Sequence, residues 1–222
     1  MAEWIETDDG SLTLRHAVLG ELYHSDRGAV GEAEHVYLRA GLDAVVETTG
    51  RRQVAVFEVG FGTGLNAWLT ARRAQESGLQ IDYHAIDLYP LDDETLRGMH
   101  YTDDPRFVRM HAVPWDGIAH EWTEGVSLTK YAADLTTFDF TRLAERFDLV
   151  YFDAFAPDAQ PELWTEEIMG GMFTLLRPGG VLVTYSAKGT VKQALRAAGF
   201  EVTRLPGALG KRHMVRAVRP ME

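Results

Sequence analysis

The chain has 222 residues, no cysteine and a formal net charge of −11. This length accommodates one doubly wound domain with a short additional segment, and the lack of cysteine excludes disulfides, thiolate nucleophiles and cysteine-ligated zinc sites. Its composition, 45% hydrophobic and 25% charged residues, is typical of a folded protein with a sizeable core. No signal segment and no apolar stretch of about 18 residues is present, so we expect a cytoplasmic protein that does not contact a membrane.

The charge is distributed unevenly along the chain. Residues 186–222 contain eight lysines or arginines and two glutamates, a balance of +6, whereas the rest of the chain carries −17. This asymmetry fits an acidic body with one basic face. It also fits the solvated side of a C-terminal helix and hairpin, and charge alone favours this second interpretation.

From Val54 onward, apolar runs alternate with helical patterns, which predicts βαβ units and an α/β, doubly wound parallel sheet. The predicted strands cover residues 54–59, 81–87, 126–131, 147–153, 180–186, 200–205 and 212–218. The predicted helices cover residues 31–40, 65–77, 92–99, 162–176 and 188–198. The last two strands are too close in sequence for a crossover helix, so they should form an antiparallel hairpin. Seven strands ending in a hairpin resemble the Rossmann-like layout of class I methyltransferases, here with a domain over residues 46–222 and an N-terminal extension over residues 1–45.

A glycine-rich turn follows the first of these strands. Residues 56–66 read VFEVGFGTGLN, in which glycines allow close approach of a ligand to the backbone and the following helix offers free N–H groups. A dinucleotide fingerprint would place its third small residue at position 65, which is Leu65. The G-x-G-x-G form after acidic Glu58 instead resembles the first motif of S-adenosylmethionine enzymes. A tight turn without a ligand is the alternative.

Two aspartates at later strand ends are candidates for cofactor contacts. Asp87 ends the second strand, where a doubly wound fold presents a carboxylate to ribose hydroxyls. A lone aspartate at such a position is more often a helix cap or turn former, but its pairing with the glycine turn favours the ribose role. Asp134 follows the third strand, where these enzymes commonly hold the adenine amino group. On spacing alone, an ordinary loop carboxylate explains Asp134 almost as well.

The fourth strand leads into a segment that contains Asp153, Phe155 and Trp164. In this topology it lies next to the first strand, so its carboxyl end faces the transferable methyl group. Transfer to an amine needs a neutral nitrogen, and a carboxylate can hold the amine's protons while aromatic walls exclude water. Asp153 and Phe155 are therefore candidates to position the acceptor. The alternative is that Asp153 caps the loop while Phe155 and Trp164 fill a gap in the core.

Several segments together carry a more specific pattern than the glycine turn. They are Tyr23-His24-Ser25, Glu32 to Leu38, Phe57 to Asn66, Tyr151 to Thr165 and Leu176 to Met214. In combination they resemble the stand-alone, MnmD-type tRNA (5-aminomethyl-2-thiouridylate) methyltransferases. These are relatives of the methyltransferase half of the bacterial bifunctional enzyme that makes 5-methylaminomethyl-(2-thio)uridine at tRNA position 34.

The resemblance implies methyl transfer from S-adenosylmethionine to the primary amine of 5-aminomethyl-(2-thio)uridine at the wobble position of tRNA. The residues that would surround the cofactor are Tyr23, Ser25, Glu58, Gly60, Gly62, Asn66, Asp87 and Asp134. Asp153 and Phe155 would face the acceptor amine. Lys188, Lys211 and Arg212 are candidates to contact tRNA phosphates in the anticodon region.

Gln160 and His213 depart from the pattern of the bifunctional relatives, although Gln160 fits stand-alone ones. We predict that the protein binds no FAD and no metal. Either a separate enzyme supplies the aminomethyl acceptor, or the acceptor is made directly upstream. The segment Tyr23 to Leu38 is expected either to form a lid over the cofactor or to cover a sheet edge.

Three other functions remain open from the residues. A class I methyltransferase acting on a small-molecule amine would explain the acidic body and would show the same glycine turn and Asp87. A nicotinamide-dependent oxidoreductase is disfavoured by Leu65. A catalytically inactive tRNA-binding module would keep the fold without the chemistry.

Overall fold

The computed structural model describes residues 3–16, 20–98 and 101–221. Within them, eight strands form one sheet and two further strands form a separate antiparallel hairpin. The strands are β1 (Glu3–Glu6), β2 (Leu12–Arg15), β3 (Gln53–Val59), β4 (Gln80–Asp87), β5 (His120–Thr123), β6 (Val126–Ala132), β7 (Phe147–Phe152), β8 (Leu176–Thr184), β9 (Glu201–Pro206) and β10 (His213–Val218).

Helices cover both faces of the large sheet. The α-helices are α1 (Ala29–Ala33), α2 (Ala44–Thr49), α3 (Leu65–Ser77), α4 (Asp93–Arg97), α5 (Pro105–Ala112), α6 (Glu166–Leu175) and α7 (Gly189–Ala197). A π-helix, Glu34–Asp43, joins α1 to α2, and single 3₁₀ turns cover Leu135–Thr137, Phe140–Leu143 and Pro161–Trp164. One hydrophobic core lies under α1, α3 and α5, and a second lies under α6 and α7.

The strand order of the large sheet is β5-β6-β4-β3-β7-β8-β10-β9. The five strands from β6 to β8 in this order are parallel, and β10 pairs antiparallel with both β8 and β9. The chain builds outward from β3 in one direction through β4 and β6, then returns to place β7 on the other side of β3. Ligands of doubly wound sheets bind at such a switch point, outside the carboxyl ends of the strands.

The predicted fold class and the C-terminal hairpin are confirmed, but the predicted count of seven strands is wrong. The sheet has an eighth strand because β5 adds antiparallel to the free edge of β6. This strand has only four residues, and its register shifts between Glu121 and Thr123. A strand this short and irregular leaves no clear alternation of apolar and polar residues in the sequence.

The N-terminal helical segment is longer than the predicted helix 31–40. It continues from α1 through the π-helix into α2, so the expected domain boundary between residues 45 and 46 falls inside α2. A Cβ atom on Gly41 would lie 3.1 Å from Val183 and 3.2 Å from Tyr151, which shows that this segment packs closely onto β7 and β8. Residues 1, 2, 17–19, 99, 100 and 222 of the expected domains, which include residue 99 of the predicted helix 92–99, lie outside the described residues.

The central strands are apolar because both of their faces are covered. All six residues of β7 are buried, as expected for a parallel strand between two helical layers. Helix α3 ends at Gly78, whose left-handed conformation closes the helix. Across the described residues, we find no helix with both the length and the apolar character needed to cross a membrane.

Candidate active site

A cavity of about 650 Å³ lies at the carboxyl ends of β3, β4 and β7. Its volume is in the range of small-molecule sites. The sequence-predicted residues that line it are Tyr23, Ser25, Gly60, Gly62, Asp87, Asp134, Asp153, Phe155 and Lys211. Glu58 and Asn66 are fully buried in the protein, and their contacts with the cavity wall are described below.

The glycine turn between β3 and α3 needs glycine for steric reasons. Gly60 has φ +82°, and a Cβ atom there would lie 2.6 Å from the backbone oxygen of Asp153. Gly62 has φ +51°, and a Cβ atom there would lie 2.8 Å from the ring of Tyr23. Real Cβ contacts are not this short, so the turn lies directly against the end of β7 and against the N-terminal segment.

Asp87 connects the end of β4 to this turn. Its carboxylate accepts hydrogen bonds from the backbone N–H of Gly62 at 3.0 Å and of Tyr89 at 2.9 Å. Burial raises the pKa of Asp87 above its ordinary value, although these hydrogen bonds act in the opposite direction. The predicted strand-end carboxylate therefore lines the cavity and also orders the turn.

Asp134 has a local role in addition to its place in the cavity wall. It precedes a 3₁₀ turn, and its carboxylate accepts hydrogen bonds from the backbone N–H of Thr136 at 2.8 Å and from the Thr136 hydroxyl at 2.7 Å. The side chain caps this turn, as a loop aspartate commonly does. A contact of Asp134 with adenine remains a prediction.

The most unusual feature of the site is a pair of carboxyl groups joined by one amide. Asn66 Nδ2 donates to Glu58 Oε1 at 2.9 Å and to Asp153 Oδ2 at 2.8 Å. The hydroxyl of Tyr37 donates to Asp153 Oδ1 at 2.5 Å. The expected place of Asn66 beside the cofactor remains a prediction, and the structure adds that its amide holds Asp153.

Burial changes the proton affinity of both carboxyl groups. It raises the pKa of Asp153 to about 7, while the hydrogen bonds from Tyr37 and Asn66 work against this increase. It also raises the pKa of Glu58 well above its usual range. A side chain that titrates near neutral pH and lines a cavity is suited to exchange a proton with a bound molecule.

Aromatic rings form another part of the cavity wall. The rings of Tyr23 and Phe155 lie edge to face with centroids 5.0 Å apart, and the His16 ring lies 5.3 Å from Phe155. Trp164 packs instead in the core, 4.9 Å from the ring of Phe152, and its indole N–H donates to the backbone oxygen of Phe155. Thus Phe155 lines the cavity, and Trp164 fills the core beneath it.

Two of the basic residues predicted to contact tRNA are paired within the chain. Lys211 forms an ion pair with Glu32, and its ammonium lies 5.3 Å from the centre of the Tyr185 ring. Lys188, at the start of α7, is paired with Asp158. Arg212 is exposed. Contact of these residues with phosphate remains a prediction.

Sequence reasoning missed several residues of this site, and four of them bear on its chemistry. Tyr37 contacts Asp153, while His16, Glu32 and Tyr185 line the cavity. Tyr37 and Glu32 belong to a segment that carried the family pattern, but no local signal indicated which of its side chains would reach the end of β7.

Comparison with known proteins gives matches along most of the chain. Residues 118–220 match a family described as S-adenosyl-L-methionine-dependent methyltransferase. The tRNA 5-methylaminomethyl-2-thiouridine biosynthesis bifunctional protein MnmC of Azoarcus sp. (strain BH72) is 33% identical over 209 residues, which cover 89% of this chain and 32% of the relative. MnmC of Cupriavidus metallidurans is 31% identical over 216 residues, 87% of this chain and 30% of the relative. The chain thus spans about a third of the length of these curated relatives.

Solved structures show the same architecture. The crystal structure of MNMC2 from Aquifex aeolicus aligns with the whole chain and with 71% of its own length, at a TM-score of 0.80 and 27% identity. The fold is that of a class I methyltransferase. Spermidine synthase from Thermotoga maritima aligns with the whole chain and 72% of its own length, at a TM-score of 0.55 and 12% identity, and shows the fold alone. The resemblance to MnmD-type enzymes drawn from the sequence is confirmed by these comparisons.

The residues of the cavity fit the cofactor of this class of enzyme. A Cβ atom would clash at both Gly60 and Gly62, so the backbone of the turn is bare of side chains at these positions. Asp87 lies at the carboxyl end of the neighbouring strand β4 and lines the same cavity. Among the described residues, Glu58 Oε2 and Asn66 Oδ1 are buried without a hydrogen-bond partner. Neither residue lines the cavity, and the Tyr83 hydroxyl faces Glu58, so the glycine turn and Asp87 are the features that fit the cofactor.

Proposed function

We propose that this protein transfers the methyl group of S-adenosylmethionine to the primary amine of 5-aminomethyl-(2-thio)uridine at tRNA wobble position 34. The observation that carries the proposal is Asp153, a carboxyl group with a pKa of about 7 whose backbone touches the glycine turn and whose side chain lines the cavity. The relatives' names support the acceptor, because they concern biosynthesis of tRNA 5-methylaminomethyl-2-thiouridine. Methylation of the aminomethyl group would produce that base.

The two parts of the cavity have different roles in this proposal. The cofactor would be held by Tyr23, Ser25, Glu58, Gly60, Gly62, Asn66, Asp87 and Asp134. When bound, it supplies an electrophilic methyl group on a sulfonium centre. Asp153 would accept hydrogen bonds from the acceptor amine and take its proton, since only a neutral nitrogen has a free lone pair. Phe155 and Tyr23 would exclude water from the reacting groups.

Recognition of tRNA is proposed for Lys188, Lys211 and Arg212. Lys188 and Lys211 would have to exchange the carboxylates of Asp158 and Glu32 for phosphates. Each phosphate contact releases counterions, so methylation of tRNA should weaken steeply as the salt concentration rises. Methylation of a free nucleoside should not show this dependence.

Three finer points belong to the same proposal. Displacement of a methyl group from a sulfonium by an amine involves no net oxidation or reduction, so this reaction gives the chain no need for FAD. The aminomethyl acceptor would come from a separate enzyme. The reaction would take place in the cytoplasm, where tRNA is found.

The decisive experiment uses labelled S-adenosylmethionine and tRNA that carries 5-aminomethyluridine at position 34. We expect the wild type to label this nucleotide and Asp153→Asn to label it at least about 100-fold more slowly, because the amide cannot take a proton. Cofactor affinity of the variant, measured by calorimetry, should stay close to that of the wild type. The matched control substrate is the same tRNA with unmodified uridine at position 34.

Two outcomes would contradict the proposal. Labelling of free 5-aminomethyluridine or another small amine, with no labelling of tRNA, would favour a small-molecule methyltransferase. Tight cofactor binding without labelling of any amine would show that the acceptor assignment is wrong.

A further inference from the structure

The Asp153 carboxylate is held on both oxygens by neutral donors from two different helical segments. Tyr37 donates to Oδ1 at 2.5 Å and Asn66 donates to Oδ2 at 2.8 Å. Turning the carboxylate would break both bonds, so its orientation is set by these two partners. The Asn66 amide also donates to Glu58, next to the glycine turn. The Tyr37 hydroxyl donates to Asp153.

Tyr37 reaches Asp153 from an unusual piece of helix. It lies in the π-helix Glu34–Asp43, a conformation that is rare in proteins and frequent at functional sites. The residue is only 2% exposed, and the centre of its ring lies 5.2 Å from that of Tyr151 on β7. Burial raises the pKa of Tyr37 well above its ordinary value, so the hydroxyl keeps its proton and acts as the donor.

We propose that Tyr37 is a positioning residue for the methyl-transfer reaction, which orients the Asp153 carboxylate toward the acceptor amine and stabilises its ionised form. This proposal rests on the proposed function in assigning the amine to Asp153. The N-terminal segment is expected from the sequence to form a lid over the cofactor or to cover a sheet edge. The proposal gives it a third role, in which one of its side chains orients a reacting group.

The groups that face Asp153 come from seven elements of the protein. They are Glu32 on α1, Tyr37 on the π-helix, Glu58 on β3, Asn66 on α3, Tyr83 on β4, Tyr185 after β8 and Lys211 in the β9–β10 loop. Burial raises the pKa of Asp153, the hydrogen bonds from Tyr37 and Asn66 lower it, Glu32 raises it and Lys211 lowers it. Removing the Tyr37 hydroxyl takes away one lowering contribution, so the pKa of Asp153 should rise.

The test compares Tyr37→Phe with Tyr151→Phe as its matched control. Both changes remove a buried tyrosine hydroxyl from the same core, but the Tyr151 hydroxyl lies 3.3 Å from Thr70 Oγ1 and is not one of the two side-chain donors to Asp153, which are Tyr37 and Asn66. The first readout is the titration of the Asp153 carboxyl by NMR of protein labelled at aspartate ¹³Cγ, with Asp153→Asn to identify the signal. We expect Tyr37→Phe to raise this pKa by about one unit and Tyr151→Phe to leave it unchanged.

The second readout is the pH dependence of methyl transfer. In Tyr37→Phe the acidic limb should move to higher pH by the same amount. The rate at pH 6 should therefore fall about tenfold, and the rate at pH 9 should remain near that of the wild type. A merely structural role would lower the rate equally at all pH values and would weaken cofactor binding as well.

The NMR titration also separates the two proposals. If the titration shifts as expected but the wild type methylates no amine, Tyr37 positions Asp153 and the proposed function is wrong. An unchanged titration in folded Tyr37→Phe would overturn the positioning role. If Tyr37→Phe does not fold, 3-fluorotyrosine at position 37 supplies the same test, because its more acidic hydroxyl is a stronger donor and should lower the pKa of Asp153.

Discussion

The two ends of the cavity are built in different ways. The glycine-turn end consists of residues 60–62, which belong to one short stretch of chain, with Asp87, whose carboxylate accepts a hydrogen bond from the backbone N–H of Gly62. The Asp153 end consists of Asp153 with Tyr37, Asn66, Tyr23 and Phe155, side chains that come from four separate parts of the chain. The first end depends on local backbone conformation, and the second depends on how helices and loops pack onto the sheet.

Gly60 joins the two ends, so its replacement should have the largest effect. Gly60→Ala forces a side chain into a left-handed conformation and against the Asp153 backbone oxygen, 2.6 Å away. We expect a loss of about 2–4 kcal/mol in the free energy of unfolding and at least a 100-fold loss of cofactor affinity. Urea unfolding and calorimetry measure the two effects.

Gly50→Ala is the matched control for this variant. Gly50 has φ +67°, and a Cβ atom there would meet no atom of the described residues within 4 Å. Gly50→Ala should lower the free energy of unfolding by only about 1 kcal/mol, the cost of placing alanine in the left-handed conformation, and should leave cofactor affinity unchanged. Equal losses in the two variants would show that the contact between the glycine turn and Asp153 is unimportant.

Tyr23 tests whether the N-terminal segment belongs to the glycine-turn end as well as to the Asp153 end. Its ring lies against Gly62 and 5.0 Å from the centre of Phe155. Tyr23→Ala should weaken cofactor binding about tenfold, because it removes an aromatic wall. Phe155→Ala should instead raise the KM for tRNA more than the cofactor Kd. Unchanged cofactor affinity in Tyr23→Ala would mean that this segment only covers an edge of the fold.

The last expected effect concerns the pH dependence of stability at the Asp153 end. Because the pKa of Asp153 is raised to about 7 in the folded protein, from about 3.9 in an unfolded chain, folding with an ionised Asp153 is costly. This cost is absent below pH 4, grows between pH 4 and 7, and is complete above pH 7. Relative to the wild type, Asp153→Asn should therefore gain about 2–3 kcal/mol in stability on going from pH 5 to pH 8. Urea unfolding at the two pH values measures the gain, and a difference between the proteins that does not change with pH would contradict the raised pKa.

The sequence by itself determined the features that depend on local chemistry. The predicted helix 65–77 coincides with α3, and each of the seven predicted strands is present in the large sheet, with ends that differ by a few residues. Apolar runs and glycine signals report on neighbouring residues, which is why they predicted these elements and the glycine turn. The short strand β5 was not predicted, because four residues with a register shift are too few to show a clear alternation of apolar and polar side chains.

Only the tertiary structure decided which distant side chains meet. Tyr37 and Asp153 are 116 positions apart, and the Lys211 side chain pairs with Glu32, 179 positions away. Contacts of this kind depend on the rotation and register with which a helix packs onto the sheet. Hydrophobic periodicity indicates that a face is buried, but it does not specify which atom on that face lies opposite a given carboxylate.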